Sequence, residues 1–130
     1  MNHIEAPIIF ENAFTEEDCN YILSFSDDNF KQAELGENNT LDNKIRKSET
    51  KFMSDKKIYN KLNSFFMEAN KMGNWNFQFD WFEPAQITKY SVDNYYQWHC
   101  DDHDKIYPNT HDNLNFRNKI RKISCSLLLS

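Results

Sequence analysis

Tyr90-Ser91-Val92-Asp93-Asn94-Tyr95-Tyr96-Gln97-Trp98-His99-Cys100-Asp101 ends in a His-x-Asp pair behind an aromatic run that alternates like a β-strand. Residues two apart on a strand share a face. A strand over residues 95–101 therefore sets the imidazole of His99 beside the carboxylate of Asp101, aimed at one ion. Two histidines and one carboxylate on one face of a metal leave positions open for substrate and oxygen. His99 and Asp101 supply two of those three ligands. A His-x-Asp tripeptide is common by chance, and the plain alternative is a surface histidine at a strand end beside an acidic loop.

Upstream, residues 86–90 predict another strand after the break at Pro84. Trp75, Phe77, Phe79 and Trp81 alternate with Asn76, Gln78 and Asp80, which predicts a half-buried strand with an aromatic inner face. Ser54-Asp55 caps a helix whose apolar positions Ile58, Leu62, Phe65, Phe66 and Ala69 keep helical spacing, with Gly73 at its end. Thr15-Glu16-Glu17-Asp18 opens an earlier helix that runs to about Ser26 and buries Ile22, Leu23 and Phe25. Residues 7–10 predict a short buried strand, residues 46–53 a strand of mixed charge, and residues 27–43 a polar loop. Downstream, residues 102–118 predict a long exposed loop and residues 119–129 a buried strand. A helix-containing first half followed by consecutive strands predicts an α+β, mostly β fold built on antiparallel sheet. Gly is present only at positions 36 and 73, so Asn and Asp must supply the left-handed turns.

At 130 residues the chain is read as a single domain, and its 15% aromatic content supports a packed core. The net charge of -5 argues against nucleic acid or an anionic membrane as partner. No apolar run reaches the roughly 18–20 residues of a bilayer span. Met1-Asn2-His3-Ile4-Glu5 lacks the basic start and apolar stretch of a signal peptide, so the cytoplasm is the expected location. Cys19, Cys100 and Cys125 are too far apart for a CxxC zinc site and imply no disulfide framework. The chain stops at Cys125-Ser126-Leu127-Leu128-Leu129-Ser130, inside an apolar strand, which predicts a C-terminally incomplete domain.

Tyr90-x5-Tyr96-x2-His99-x-Asp101, a variable loop, then Arg121-Lys122-Ile123-Ser124 and an apolar strand resemble the prolyl 4-hydroxylase-type 2-oxoglutarate/Fe(II) dioxygenases. Ile9-Phe10-Glu11-Asn12-Ala13-Phe14-Thr15-Glu16-Glu17 is similar to that family's opening strand and first helix. Ala69-Asn70, the aromatic run and Gln86-Ile87-Thr88-Lys89-Tyr90 extend the similarity over nearly the whole chain. The resemblance implies a double-stranded β-helix, a jelly roll with supporting N-terminal helices, here lacking its last strands. It implies Fe(II) held by His99 and Asp101, and 2-oxoglutarate held near Tyr90 and the strand face of Ser124, Ser126 and Leu128. Leu128 stands where a polar or aromatic residue is frequent. Tyr96 matches an aromatic near the iron, and Arg121 the start of the pocket-lining strand. Ascorbate is an optional addition. The implied reaction consumes 2-oxoglutarate and O₂ and hydroxylates an unactivated C–H of a peptide, protein or small molecule, with a prolyl residue as the family-level substrate.

Two departures bear on activity. Asp93 replaces the Gly usual in the turn before the ligand pair, a position Asp can fill at some cost. The family's distal His, and the basic residue that pairs with 2-oxoglutarate, have no counterpart up to Ser130. His103 would share an ion with His99 only on a helix, and His111 lies in a loop that makes a poor ligand platform. His3 sits in a terminus. Asp101, Asp102 and Asp104 lack the Gly and distal Glu of a calcium loop. Cys100 is expected to face away from the pair as a buried thiol. The competing expectation is a non-catalytic, degenerate or partner-dependent fragment of this fold with weak metal binding.

Overall fold

The computed structural model describes residues 6–26, 29–35, 41–101 and 105–129. Helix α1 (Glu16–Leu23) begins at Thr15, whose hydroxyl accepts the Asp18 N–H while the Asp18 carboxylate accepts the Thr15 N–H. This capping box satisfies donors that no helical carbonyl can reach. The helix stops short of Ser26 because the hydroxyls of Ser24 and Ser26 donate to the carbonyls of Tyr21 and Leu23. Such local bonds compete with helix continuation. Ile22 is buried, Phe25 is half-buried, and Leu23 lies exposed rather than in the core.

Helix α2 (Lys56–Met72) is capped by Asp55, which accepts from the Ile58 N–H at 2.9 Å, and ends at Gly73. Gly73 has an ordinary right-handed φ of -74°. Its lack of a side chain serves space instead: a Cβ there would lie 2.4 Å from the Trp75 indole.

The strands are few and antiparallel. β1 (Lys31–Gln32), inside the predicted loop, pairs with β3 (Glu49–Met53), and β3 pairs with β4 (Ala85–Lys89), giving the order β1-β3-β4. β2 (Arg46–Lys47) pairs with β5 (Tyr95–Tyr96) in a separate ribbon. The predicted strand over residues 46–53 is thus split at the buried Ser48 between two sheets. Ile22, Met53, Ile58 and Ile87 form the core between α1, α2 and the β3–β4 pair, with Phe14, Leu62 and Leu129 packed against it. The architecture is mixed α+β, two helices on small antiparallel sheets.

Three predicted strands are absent. Residues 7–10 make no ladder, and Phe10 packs on Phe65 with ring centroids 5.1 Å apart. In residues 75–81, Asn76 is left-handed at φ 56°. The Asn70 side chain holds both backbone polar groups of Phe77, its Oδ1 accepting the N–H and its amide donating to the carbonyl. Those groups are therefore unavailable to a sheet. Residues 119–129 are irregular along their length. The left-handed positions are Asn12, Asn74, Asn76, Asp93 and Asn118, the turn chemistry that a glycine-poor chain requires. Among the described residues no helix is long and apolar enough to cross a membrane.

Candidate metal centre

The ligand segment is delivered by a turn and held by a ribbon. Asp93 takes φ 63°, and Ser91 and Asn94 close the turn with bonds of 3.0 and 3.1 Å. The chain then enters β5, where Tyr96 lies opposite Arg46 and Tyr95 opposite Lys47. Gln97 extends the contact: its N–H donates to the Ile45 carbonyl at 2.9 Å and its side-chain amide to the Lys44 carbonyl at 2.7 Å. Past Gln97 the ladder ends, and Trp98 projects fully into solvent. The expected strand over residues 95–101 is therefore only Tyr95–Tyr96, because the chain before Arg46 turns back, the Ile45 and Arg46 N–H groups donating to the Asp42 carbonyl.

His99 and Asp101 nevertheless converge. His99 Nε2 lies 3.0 Å from Asp101 Oδ1. On the other side of the ring, His99 Nδ1 is 2.8 Å from the Gln97 carbonyl oxygen. A carbonyl only accepts, so Nδ1 carries the proton and donates. In the neutral ring this leaves the Nε2 lone pair facing a carboxylate oxygen, a contact that needs a positive charge between or on the two groups. Neighbouring ligands on an octahedral ion with bonds of about 2.1 Å are about 3.0 Å apart. Imidazole plus carboxylate also suits iron, and a backbone carbonyl on the non-ligating nitrogen is the usual outer partner of a metal-bound histidine. His99 and Asp101 therefore fit a divalent ion.

Among the described residues no third His, Cys, Asp or Glu joins them. His111 is fixed elsewhere. Its Nδ1 accepts the Asn113 N–H at 3.1 Å, and its ring packs on Phe116 and Tyr107 at 4.8 and 5.4 Å. The loop around it is a small aromatic cluster, closed by Trp81 on Phe116 at 4.9 Å. His3, Asp102, His103 and Asp104 lie outside the described residues.

Tyr90, Ser126 and Leu128 line the same trough as Asp101 and Ser124, a wide opening of about 1920 Å³ along β4 and residues 119–129. His99 is not part of that lining. Tyr90 is 53% exposed and Leu128 86%. A small-molecule site buries most of its ligand, and these residues lie open. Cys100 is exposed, contrary to the buried thiol expected, since no sheet covers the chain after Gln97. It borders a smaller cavity of about 280 Å³ with Asp101, Arg121 and Ser124.

Glu83 and Arg46, which the sequence did not single out, help to organise the centre, together with Arg121. Arg121 Nε donates to Glu83 at 3.0 Å, and its NH1 to the Asp101 carbonyl at 3.2 Å. Arg121 thereby ties residues 119–129 directly to the Asp101 backbone and is held by Glu83, whose carboxylate pushes the guanidinium pKa up. The only sequence signal for Glu83 is an acid directly before Pro84 in an aromatic run. Arg46 is buried under Tyr96, its guanidinium 4.5 Å from the ring centroid. A charged residue inside a short strand segment was its signal. No family model matches the chain, and neither a curated protein nor a solved structure matches it.

Proposed function

We infer that this chain is an Fe(II)/2-oxoglutarate-dependent dioxygenase domain of the prolyl 4-hydroxylase type, with a double-stranded β-helix as its core. The observation that carries the reading is the His99–Asp101 pair, 3.0 Å apart, with the Nδ1–H of His99 spent on a backbone carbonyl. The antiparallel strands and the two N-terminal helices are compatible with that fold. Bound iron and 2-oxoglutarate supply the oxidative decarboxylation that drives hydroxylation of a C–H bond. The chain's own residues divide the remaining work. His99 Nε2 and Asp101 Oδ1 bind the ion, Gln97 holds the imidazole tautomer, and Arg121 fixes the backbone of Asp101. Tyr90, Ser126 and Leu128 border the side of the trough where the keto acid would lie. The substrate class stays at the family level, a prolyl or other unactivated C–H in a peptide, protein or small molecule.

The test is succinate release from 2-oxoglutarate with Fe(II) and O₂. Any turnover by the wild type is expected to fall to background in His99→Ala and Asp101→Ala. Equal turnover by all three would overturn the assignment of the site. The second reading, a metal-binding module without turnover, is favoured by the two-ligand centre among the described residues and by the open setting of Tyr90 and Leu128. It predicts Fe(II) binding that His99→Ala abolishes, with no succinate formed.

A further inference from the structure

Among the described residues, Arg46 presents a buried cation whose hydrogen-bond and ring contacts are all neutral. The residue is 6% exposed. Nε donates to Ser48 Oγ and NH2 to Gln86 Oε1, each at 2.9 Å, and the guanidinium lies over the Tyr96 ring. Removing a charge from water is costly unless something is gained from it. The chain of contacts shows what is gained. Tyr96 is the direct cross-strand partner of Arg46, and its ring stacks on the His99 imidazole with centroids 3.6 Å apart and planes within 18°. Stacked aromatic rings attract one another modestly when offset. The attraction grows when one ring is made electron-poor, as an imidazole is once Nε2 binds a cation. Gln97, seated by Ile45 and Lys44 next to Arg46, holds the edge of the same imidazole. The imidazole is thus fixed at its face by Tyr96 and at its edge by the Gln97 carbonyl, and both rest on residues 44–46.

Building on the metal-site reading above, we propose that Arg46 is a positioning residue, acting through the Tyr96 ring to lock the His99 imidazole in its ion-binding orientation. Arg46 touches neither the ion nor substrate. Its planar guanidinium grips Ser48 and Gln86 in two directions and so sets the plane of Tyr96, which a lysine's single ammonium cannot do. Tyr96 in turn sets the plane of His99. Outer residues of this kind change metal affinity by about 10–100-fold.

The experiment uses two readouts on the intact chain. NMR of the metal-free protein reports the His99 tautomer and the upfield ring-current shift that Tyr96 imposes on the His99 C–H protons. Co(II) binding, followed by its electronic absorption, reports affinity. Tyr96→Phe keeps the ring and is expected to match the wild type in both. Tyr96→Leu is expected to lose the upfield shift and to weaken Co(II) binding by about 10–100-fold. Arg46→Lys should fall between the wild type and Arg46→Met in both readouts. A folded Tyr96→Leu or Arg46→Lys with unchanged His99 signals and unchanged Co(II) affinity would overturn the proposal, and these two variants decide it if Arg46→Met does not fold. If the wild type and His99→Ala bind Co(II) equally, the metal-site reading fails, and the His99 tautomer and shifts still decide whether Arg46 and Tyr96 position the ring.

Discussion

Single residues in this chain are constrained by what lies within one van der Waals radius of them, and Gly73 is the clearest case. A helix end conventionally selects glycine for a left-handed backbone, yet Gly73 is right-handed and buried, with the Trp75 indole where a Cβ would stand. Gly73→Ala would gain up to about 1 kcal/mol of helix propensity. It would also drive a rigid ring from its place, and overpacking of that kind costs about 1–3 kcal/mol. A net loss of stability is expected, read as a lower urea midpoint with an unchanged slope. Asp93 illustrates the opposite constraint: its φ of 63° is the geometry a glycine would fill freely. Asp93→Gly is expected to be tolerated without loss of stability, and Asp93→Val to be strained.

At the scale of elements, α1 and α2 are joined by two acids that each serve twice. Asp55 caps α2 and accepts the Tyr21 hydroxyl from α1 at 3.0 Å. Asp18 closes the α1 capping box and pairs with Lys61 of α2. The Lys61 ammonium, then the Thr15 N–H and hydroxyl, hold the Asp18 carboxyl at about 2, below its ordinary 3.8. A depressed carboxyl stabilises the fold above its unfolded pKa and loses that contribution as pH falls through the folded one. Stability should therefore decline between about pH 4 and about pH 2. Asp18→Asn should flatten that part of the profile, measured by chemical denaturation across the range. Asp55→Ala should cost about 1–2 kcal/mol as a lost cap.

Both caps were legible in the sequence because they are bonds between residues three apart. So were the span of α2 and the β4 segment. The pairings were not. Whether residues 46–53 make one strand or two depends on partners some 30–50 residues away. The alternation of residues 75–81 signals a strand only if their backbone groups are free, and Asn70 has taken those of Phe77. For the centre, the spacing of His99 and Asp101 was visible, and the two side chains meet, though not on the strand that the spacing predicted. The grip on that pair by Gln97, Arg121 and Arg46 was not visible, because a backbone carbonyl and two long-range arginine contacts leave no local pattern.

The molecule as a whole is a small core beside a large opening. Its buried apolar cluster is Ile22, Met53, Ile58 and Ile87, while β4 and residues 119–129 border the trough. Apolar side chains in that border are divided between two fates by the direction in which they point. Leu129 packs against the core, and its neighbour Leu128 is 86% exposed. These two neighbours allow one substitution on each side. Leu129→Lys would place a charge against the apolar core, and a loss of about 1–3 kcal/mol is expected in urea unfolding. Leu128→Lys removes no packing and should change stability by less than about 0.5 kcal/mol. It should instead reduce self-association, since an exposed apolar edge beside an irregular backbone is a template for pairing with another chain. Sedimentation velocity at several concentrations reads that difference. A wild type and Leu128→Lys with the same association, or a Leu128→Lys that unfolds as easily as Leu129→Lys, would mean that the trough border is closed in solution.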